Sequence, residues 1–394
     1  MKTLSPVPLA CSTWGDEELK ALQDVIDSGR FTMGPKVAEF EKIFADYHDS
    51  KYCVMVNSGS SANFLMIAAL FFTKRRKNLN RGDEVIVPAV SWSTTYSPLH
   101  YHGLKVRFVD VDLNTLNINI ELIEAAITKN TKAIFAVNLL GNPADYKRLI
   151  EICKKHDLIL IEDNCESLGA EYLNKRSGSF GLVSSCSAFF SHHISTMEGG
   201  LILTDDEEIY HILLSIRAHG WTRDLPENNL ICEKNANAFF ESFRFIFPGY
   251  NVRPLEMSGA IGIAQMKKLD SLIEKRRANY YLFRDRMEQF NFIKLQLETG
   301  NSSWFGFSMI VDENSGYSRN DLVSCFSLRN IECRPIVCGN IMENEMISYF
   351  DYSVSGELRA SNTIHNNGLF IGNHHIDISD GLDILTEVLQ KFVK

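Results

Sequence analysis

Between Ser187 and Gly200 the chain reads SAFFSHHISTMEGG, with two adjacent imidazoles, His192 and His193, at its centre. Imidazole titrates near neutral pH, so either ring can take up and return a proton under physiological conditions. No lysine accompanies them: Lys175 is the last before the motif and Lys234 the next after it. Other residues suited to chemistry lie upstream. Asp163 closely follows the apolar run LILI; its carboxylate could cap a turn or keep a bound heterocyclic nitrogen protonated. Trp92 ends another apolar run and could stack on an aromatic ring or pack into a core. The small residues Asn57–Ser61 precede an apolar stretch. Exposed backbone N–H groups there, with the hydroxyl of Ser60 beside Gly59, would suit a phosphate, although a serine-rich helix cap accounts for the same residues.

These residues need elements to hold them. DEVIVPAVSW (83–92), KVRFVDVD (105–112), KAIFAVNLLG (132–141) and DLILIEDN (157–164) read as strands, nearly continuous in apolar residues, as strands buried on both faces require. NIELIEAAITKN and DYKRLIEICKKH, lying between them, have helical spacing. Strand, helix and strand in alternation make an α/β fold with a mostly parallel sheet and helices on both faces. In such sheets ligands bind beyond the carboxyl ends of the strands. From FPGYNVRPLEMSGAIGIAQ onward the pattern becomes one long helical stretch leading into an α+β region. The expected division is a large domain at 1–249 and a smaller one at 250–394.

With 394 residues, 45% of them hydrophobic and 23% charged, the composition is that of an ordinary globular enzyme. The net charge of −9 argues against a general nucleic-acid binder. No apolar run approaches the length of a membrane span, and a cytoplasmic location is expected. The nine cysteines include no CxxC pair, and their odd number fits free thiols better than a disulfide framework. Cys325, Cys333 and Cys338 lack a fourth ligand at convincing spacing, so no metal site is expected.

A phosphate turn, an aromatic residue, a strand-end aspartate, then a serine and a basic residue before a glycine pair resemble the fold-type I pyridoxal-phosphate enzymes. The chain resembles their sugar aminotransferase family (DegT/DnrJ/EryC-type) over essentially its whole length. The stretches that carry the resemblance are TMGPKVAEFE, VNSGSSAN, VPAVSWSTT, NLLGNPAD, IEDNCESLGA, SAFFSHHISTMEGG, RAHGW and GYNVRPLEMSGAIGIAQ. It implies an aminotransferase-like fold with a seven-stranded, mostly parallel sheet and a smaller C-terminal α+β domain. The family carries Ser-x4-Lys, with Glu-Gly-Gly beginning six residues after the lysine. Counting back six from Glu198 reaches His192, and five more reaches Ser187. Imidazole cannot form the covalent link that a lysine amine makes with an aldehyde cofactor.

The lysine-to-histidine exchange looks like the sugar 3-dehydratase branch. That resemblance implies pyridoxamine phosphate as the working cofactor, regenerated from pyridoxal phosphate by L-glutamate, and a nucleotide-linked 4-keto-6-deoxy sugar as substrate. A histidine-bearing relative that acts on a CDP-sugar carries an iron–sulfur cluster, but its close Cys-x-Cys pair is missing here; a cluster-free enzyme for a GDP-sugar is favoured. Another nucleotide-linked sugar, or a non-catalytic sugar-nucleotide-binding protein, is the alternative. By the same resemblance His192 is the catalytic residue. Gly59, Ser60 and Ser187 hold the cofactor phosphate, joined by Asn251 across the interface of a homodimer with shared active sites. Trp92 stacks on the cofactor ring, Asp163 bonds its nitrogen, and Glu166 orients Asp163, contacts the ring, or is simply solvated. His219 and Arg223 are substrate-side candidates, with a packed histidine and a solvated arginine as their plainer readings.

Overall fold

A computed structural model describes residues 5–393. Two helices open the fold, α1 (Asp16–Ser28) and α2 (Pro35–Tyr47). Pro35 starts α2, where a missing N–H costs nothing because first-turn donors have no partner inside the helix. Strands and helices then alternate: β1 (Tyr52–Val56), α3 (Gly59–Ala69), β2 (Glu84–Pro88), α4 (Ser93–Tyr101), β3 (Lys105–Val109) and α5 (Ile120–Ala126). β4 (Thr131–Val137), α6 (Tyr146–His156) and β5 (Ile159–Asp163) follow. A small hairpin, β6 (Glu171–Tyr172) and β7 (Lys175–Arg176), precedes β8 (Val183–Ser187) and β9 (Gly200–Thr204). Next come α7 (Glu207–Ile216), the one-turn α8 (Ala238–Glu241), α9 (Glu256–Met266) and α10 (Leu269–Met287).

The expected strands are present but shorter than their apolar runs. The ladder of β2 stops at Pro88, yet Ala89, Val90 and Ser91 stay buried, and β4 passes into a 3-10 turn at Leu139–Gly141. Apolar content follows burial, and these loops are covered by the rest of the protein. Similarly, the expected long helix breaks at Lys267–Lys268 into α9, which packs on α1 and α2, and α10.

The C-terminal region supplies β10 (Ile293–Leu295), β11 (Gly306–Val311), β12 (Cys333–Arg334), β13 (Tyr352–Ser355) and β14 (Gly368–Gly372). The main sheet runs β1-β9-β8-β5-β4-β2-β3-β13. Only β9 runs against its neighbours. Seven of its strands come from the alternating region; the eighth, β13, returns from the C-terminal part and pairs parallel with β3. The second sheet, β10-β11-β14-β12, is antiparallel. Successive residues of β2 point to opposite cores: Val85 and Val87 join Phe108 and Phe135, while Ile86 joins Ile134, Tyr146 and Leu149. Burial on both faces accounts for the continuous apolar reading of the strands. A separate cluster around Tyr280, Phe283, Phe307 and Leu385 forms the C-terminal core. No described helix is long and apolar enough to cross a membrane.

Candidate active site

β1, β2, β5 and β8 point the same way, so the residues just after them share one edge of the sheet. That edge receives Gly59 and Ser60 after β1, Trp92 after β2, Asp163 at the end of β5 with Glu166 just beyond, and Ser187 at the end of β8. With His192 they line a single cavity of about 720 Å³. The C-terminal region closes it with Phe305, Arg334, Val337 and Phe370.

Asp163 is the most heavily restrained of these groups. Its Oδ2 accepts hydrogen bonds from Asn63 Nδ2 and Thr95 Oγ1, both at 2.8 Å, and its Oδ1 accepts one from the Cys165 N–H at 3.1 Å. Glu166 makes no bond to Asp163; its Oε2 instead accepts from the Leu140 N–H at 2.8 Å. Burial pushes the Glu166 carboxyl up to about 7, with the negative charge of Asp163 adding to the effect. Trp92 is 58% exposed and lines the cavity, so it is not core packing.

The start of α3 fits a phosphate. Ser58 caps the helix, its side chain accepting from the Ser61 N–H, and first-turn N–H groups have no partner inside the helix. The approach is close: a Cβ on Gly59 would stand 2.7 Å from Ser187 Cβ and 2.9 Å from its Oγ. Gly200, flanked in register by Val56 and Ser187, has no room for a Cβ either, which would lie 2.1 Å from the Ser58 carbonyl oxygen. Bare backbone and small hydroxyl groups thus make a cradle for an anion. The carboxylate of Asp163, held by the three hydrogen bonds it accepts, and the open indole suit a flat, protonated heterocycle. The residues present fit a pyridoxal-type cofactor.

His192 sits on the loop between β8 and β9, which is pinned by Ala188 N–H to Gly199 O and Thr196 N–H to Ala188 O, both 2.9 Å. Its half-buried ring leans on Phe305 at 5.0 Å. The Nδ1 lies 2.8 Å from the Cys165 carbonyl oxygen, which can only accept, so Nδ1 carries the hydrogen and Nε2 keeps its lone pair. Loss of hydration above all, with Arg276 acting in the same direction against the raising effects of the Cys165 carbonyl and Asp163, holds the imidazole down, to about 4. At neutral pH His192 is therefore an uncharged ring equipped to accept a proton.

Three of the expected site residues lie elsewhere. His219, Arg223 and Asn251 are not among the residues lining the cavity. They sit together on another patch. The His219 N–H donates to Tyr250 O, Ala218 bridges Asn251, and Arg223 stacks over Trp221 at 4.3 Å. His193 turns away as well: it is buried, with Nε2 3.2 Å from Ser303 O. Sequence reasoning passed over Asn63 and Thr95, although both fall inside quoted motifs, and it gave no sign of Phe305 or Arg334. Four non-glycine residues at or beside the cavity, Leu140, Met197, Trp304 and Val337, have left-handed backbone, a strained conformation that clusters at functional sites.

Comparison with known proteins agrees with this geometry. GDP-4-keto-6-deoxy-D-mannose 3-dehydratase of Yersinia pseudotuberculosis is 56% identical over 392 residues, covering 99% of this chain and all of the relative. A crystal structure of GDP-4-keto-6-deoxymannose-3-dehydratase with a trapped PLP–glutamate geminal diamine superposes with a TM-score of 0.95 at 56% identity, covering 97% of this chain and 100% of the other. A mutant of that enzyme with bound GDP-perosamine matches equally well, with a TM-score of 0.95, 56% identity and the same coverage. The model of the DegT/DnrJ/EryC1/StrS aminotransferase family matches residues 12–381, and the chain belongs to that family.

Proposed function

We infer that the chain is a pyridoxamine-phosphate-dependent sugar 3-dehydratase. It converts GDP-4-keto-6-deoxy-D-mannose to GDP-4-keto-3,6-dideoxy-D-mannose, and L-glutamate restores the aminated cofactor from pyridoxal phosphate. One observation carries this reading: a neutral imidazole, His192, faces the cavity at the position where the family has its lysine. The relatives support it, being 3-dehydratases of this GDP-sugar whose structures hold a PLP–glutamate adduct and a GDP-sugar.

When bound, the cofactor would supply an electron sink that lets the C-3 hydroxyl of the sugar depart. The chain does the rest. Gly59 and Ser60 N–H groups, with the Ser60 and Ser187 hydroxyls, hold the phosphate. Asp163, kept in place by Asn63 and Thr95, would bond the ring nitrogen and favour its protonated form. Trp92 would cover one face of the ring, and Glu166 would stand at its edge. Nε2 of His192 accepts the proton released in the cavity and can return it to the departing hydroxyl. No lysine is among the residues lining the cavity, so no enzyme amine stands ready to complete an ordinary amino transfer.

The working unit is a homodimer. The patch that holds His219, Arg223 and Asn251 is rimmed by the exposed rings of Phe239, Phe240, Phe243 and Phe245, a large apolar surface suited to a second copy. In the dimer Asn251 completes the partner's phosphate site, with His219 and Arg223 on the sugar side. The nine free thiols suit the reducing cytoplasm. Mass spectrometry of a mixture of enzyme, GDP-4-keto-6-deoxymannose, pyridoxal phosphate and glutamate tests the whole reading. A sugar that loses one oxygen and gains no nitrogen, together with ammonia and 2-oxoglutarate, is expected; an aminated sugar would refute it.

A further inference from the structure

Behind the His192 loop lies a buried cation that the reaction described above does not use. Arg276, on α10, is 1% exposed. Its Nη1 donates to the carbonyl oxygens of Phe305, at 3.3 Å, and Asn373; its Nη2 donates to that of His192 at 3.5 Å. Nη2 also lies 3.4 Å from Nδ1 of His374. Asn373 closes the arrangement, donating to the carbonyls of Arg276 at 3.0 Å and Trp304 at 2.7 Å. Among the described residues Arg276 has no carboxylate ion-pair partner, so carbonyl dipoles, with the His374 ring and the Cys11 thiol nearby, are what compensate a charge that has lost its water. Two more imidazoles crowd it: His193 and His374 are buried, each with one ring nitrogen unpartnered. Neutral side chains could make equivalent carbonyl bonds; a full charge adds something only through its field.

We propose that Arg276 is a positioning residue for His192, tying the loop that carries the imidazole to the C-terminal region and setting a fixed, carboxylate-free positive charge behind it. The tie holds the ring against Phe305, whose carbonyl the same guanidinium grips. The charge opposes protonation of His192. Other groups around that ring act too. Asp163 lines the same cavity from the end of β5, Cys165 and Glu166 from just beyond it, Glu198 from its own loop and Arg334 from β12; His193 and His374 lie behind. The negative groups among them favour protonation, and Arg276 counters them from the side away from solvent.

The inference rests on the proposed function for its kinetic arm only, since a second arm observes His192 directly. In cofactor-loaded enzyme with 13C-labelled histidine, the His192 resonance is the one missing from His192→Asn. In the parent protein its midpoint should lie below the ordinary imidazole range because the ring is buried. Arg276→Gln should move that midpoint up by about one unit or more, while Arg276→Lys, which keeps the charge, should hold it near its original place. The acid limb of sugar dehydration should move in parallel, and Arg276→Lys should still lose about tenfold in kcat because the planar clamp is gone. Should Arg276→Gln fail to fold, His374→Glu leaves the guanidinium in place and neutralises it, and should raise the midpoint in the same way. An unmoved His192 titration in folded Arg276→Gln, or in His374→Glu, would overturn the proposal. So would equal shifts in Arg276→Gln and Arg276→Lys. A parent protein that fails to dehydrate the sugar would instead sink the proposed function, leaving the titration arm to decide the role of Arg276.

Discussion

One hydrogen bond fixes the tautomer of His192, and lost hydration keeps its ring uncharged. Because Nδ1–H is committed to the Cys165 carbonyl, only Nε2 can work. His192→Lys should therefore change the chemistry rather than merely weaken it. Borohydride should leave no cofactor on residue 192 of the parent protein but fix it covalently in the lysine variant, as intact mass will report. Dehydration should fall at least about a hundredfold, since a positioned proton-transfer group is worth that much. Glu166 permits a test in cofactor-free protein. Its carboxyl, ordinarily near 4.5, is raised to about 7 by burial. The folded protein thus holds a proton that the unfolded chain releases, and stability drops as pH climbs between those values. Glu166→Gln should relieve that loss. Thermal unfolding should show the variant gaining on the order of 1–3 kcal/mol over its parent at pH 8 and nothing at pH 4.

Among the elements, the start of α3 and the end of β8 depend on each other. Gly59 lets the helix terminus approach Ser187 so closely that a methyl group would meet both Cβ and Oγ. Gly59→Ala should cost about 1–3 kcal/mol in unfolding free energy, the usual effect of overpacking. It should also weaken pyridoxal phosphate binding about tenfold or more by displacing the N–H groups that face the anion. Adding Ser187→Gly should recover much of the stability, because the obstructing Cβ is gone, but not the binding, because a hydroxyl has been lost. Equilibrium denaturation and absorbance titration with the cofactor separate the two effects.

For the whole molecule, the decisive surface is the aromatic patch. Phe239 is 81% exposed and Phe243 66%, proportions that a monomer in water rarely shows in neighbouring rings. Sedimentation should find two copies at micromolar concentration. Phe243→Asp should shift the equilibrium toward monomer and release cofactor, because the proposed dimer sets Asn251 at its partner's phosphate site. A protein that stays dimeric, or a monomer that keeps its cofactor, would place the interface or Asn251 elsewhere.

Much of this site can be read from the chain alone, for a geometric reason. Trp92 and Asp163 follow or end apolar strands, and parallel strands bring such positions to one edge whatever the details of packing. Gly59 and Ser60 are marked by the small-residue turn before an apolar helix. Ser187, by contrast, ends a strand, VSSCS, that no apolar pattern marks, and is found only by its count from Glu198. His192 is equally readable, because its distance from Ser187 and Glu198 is counted along a short loop. Direction is another matter. His192 and His193 are the same residue type at adjacent positions, and only the packed loop turns one toward the cavity and the other against Ser303. Asn63 and Thr95 become supports for Asp163 only when α3 and α4 dock beside β5. Phe305, Arg334 and Arg276 come from segments more than 80 residues beyond His192, where no local spacing marks them. Their place was decided by how the second sheet and α10 close over the first. Side-chain chemistry and the succession of strands and helices along the chain are local properties of a sequence, whereas the far wall of a cavity is made by contacts between distant segments, which only tertiary packing specifies.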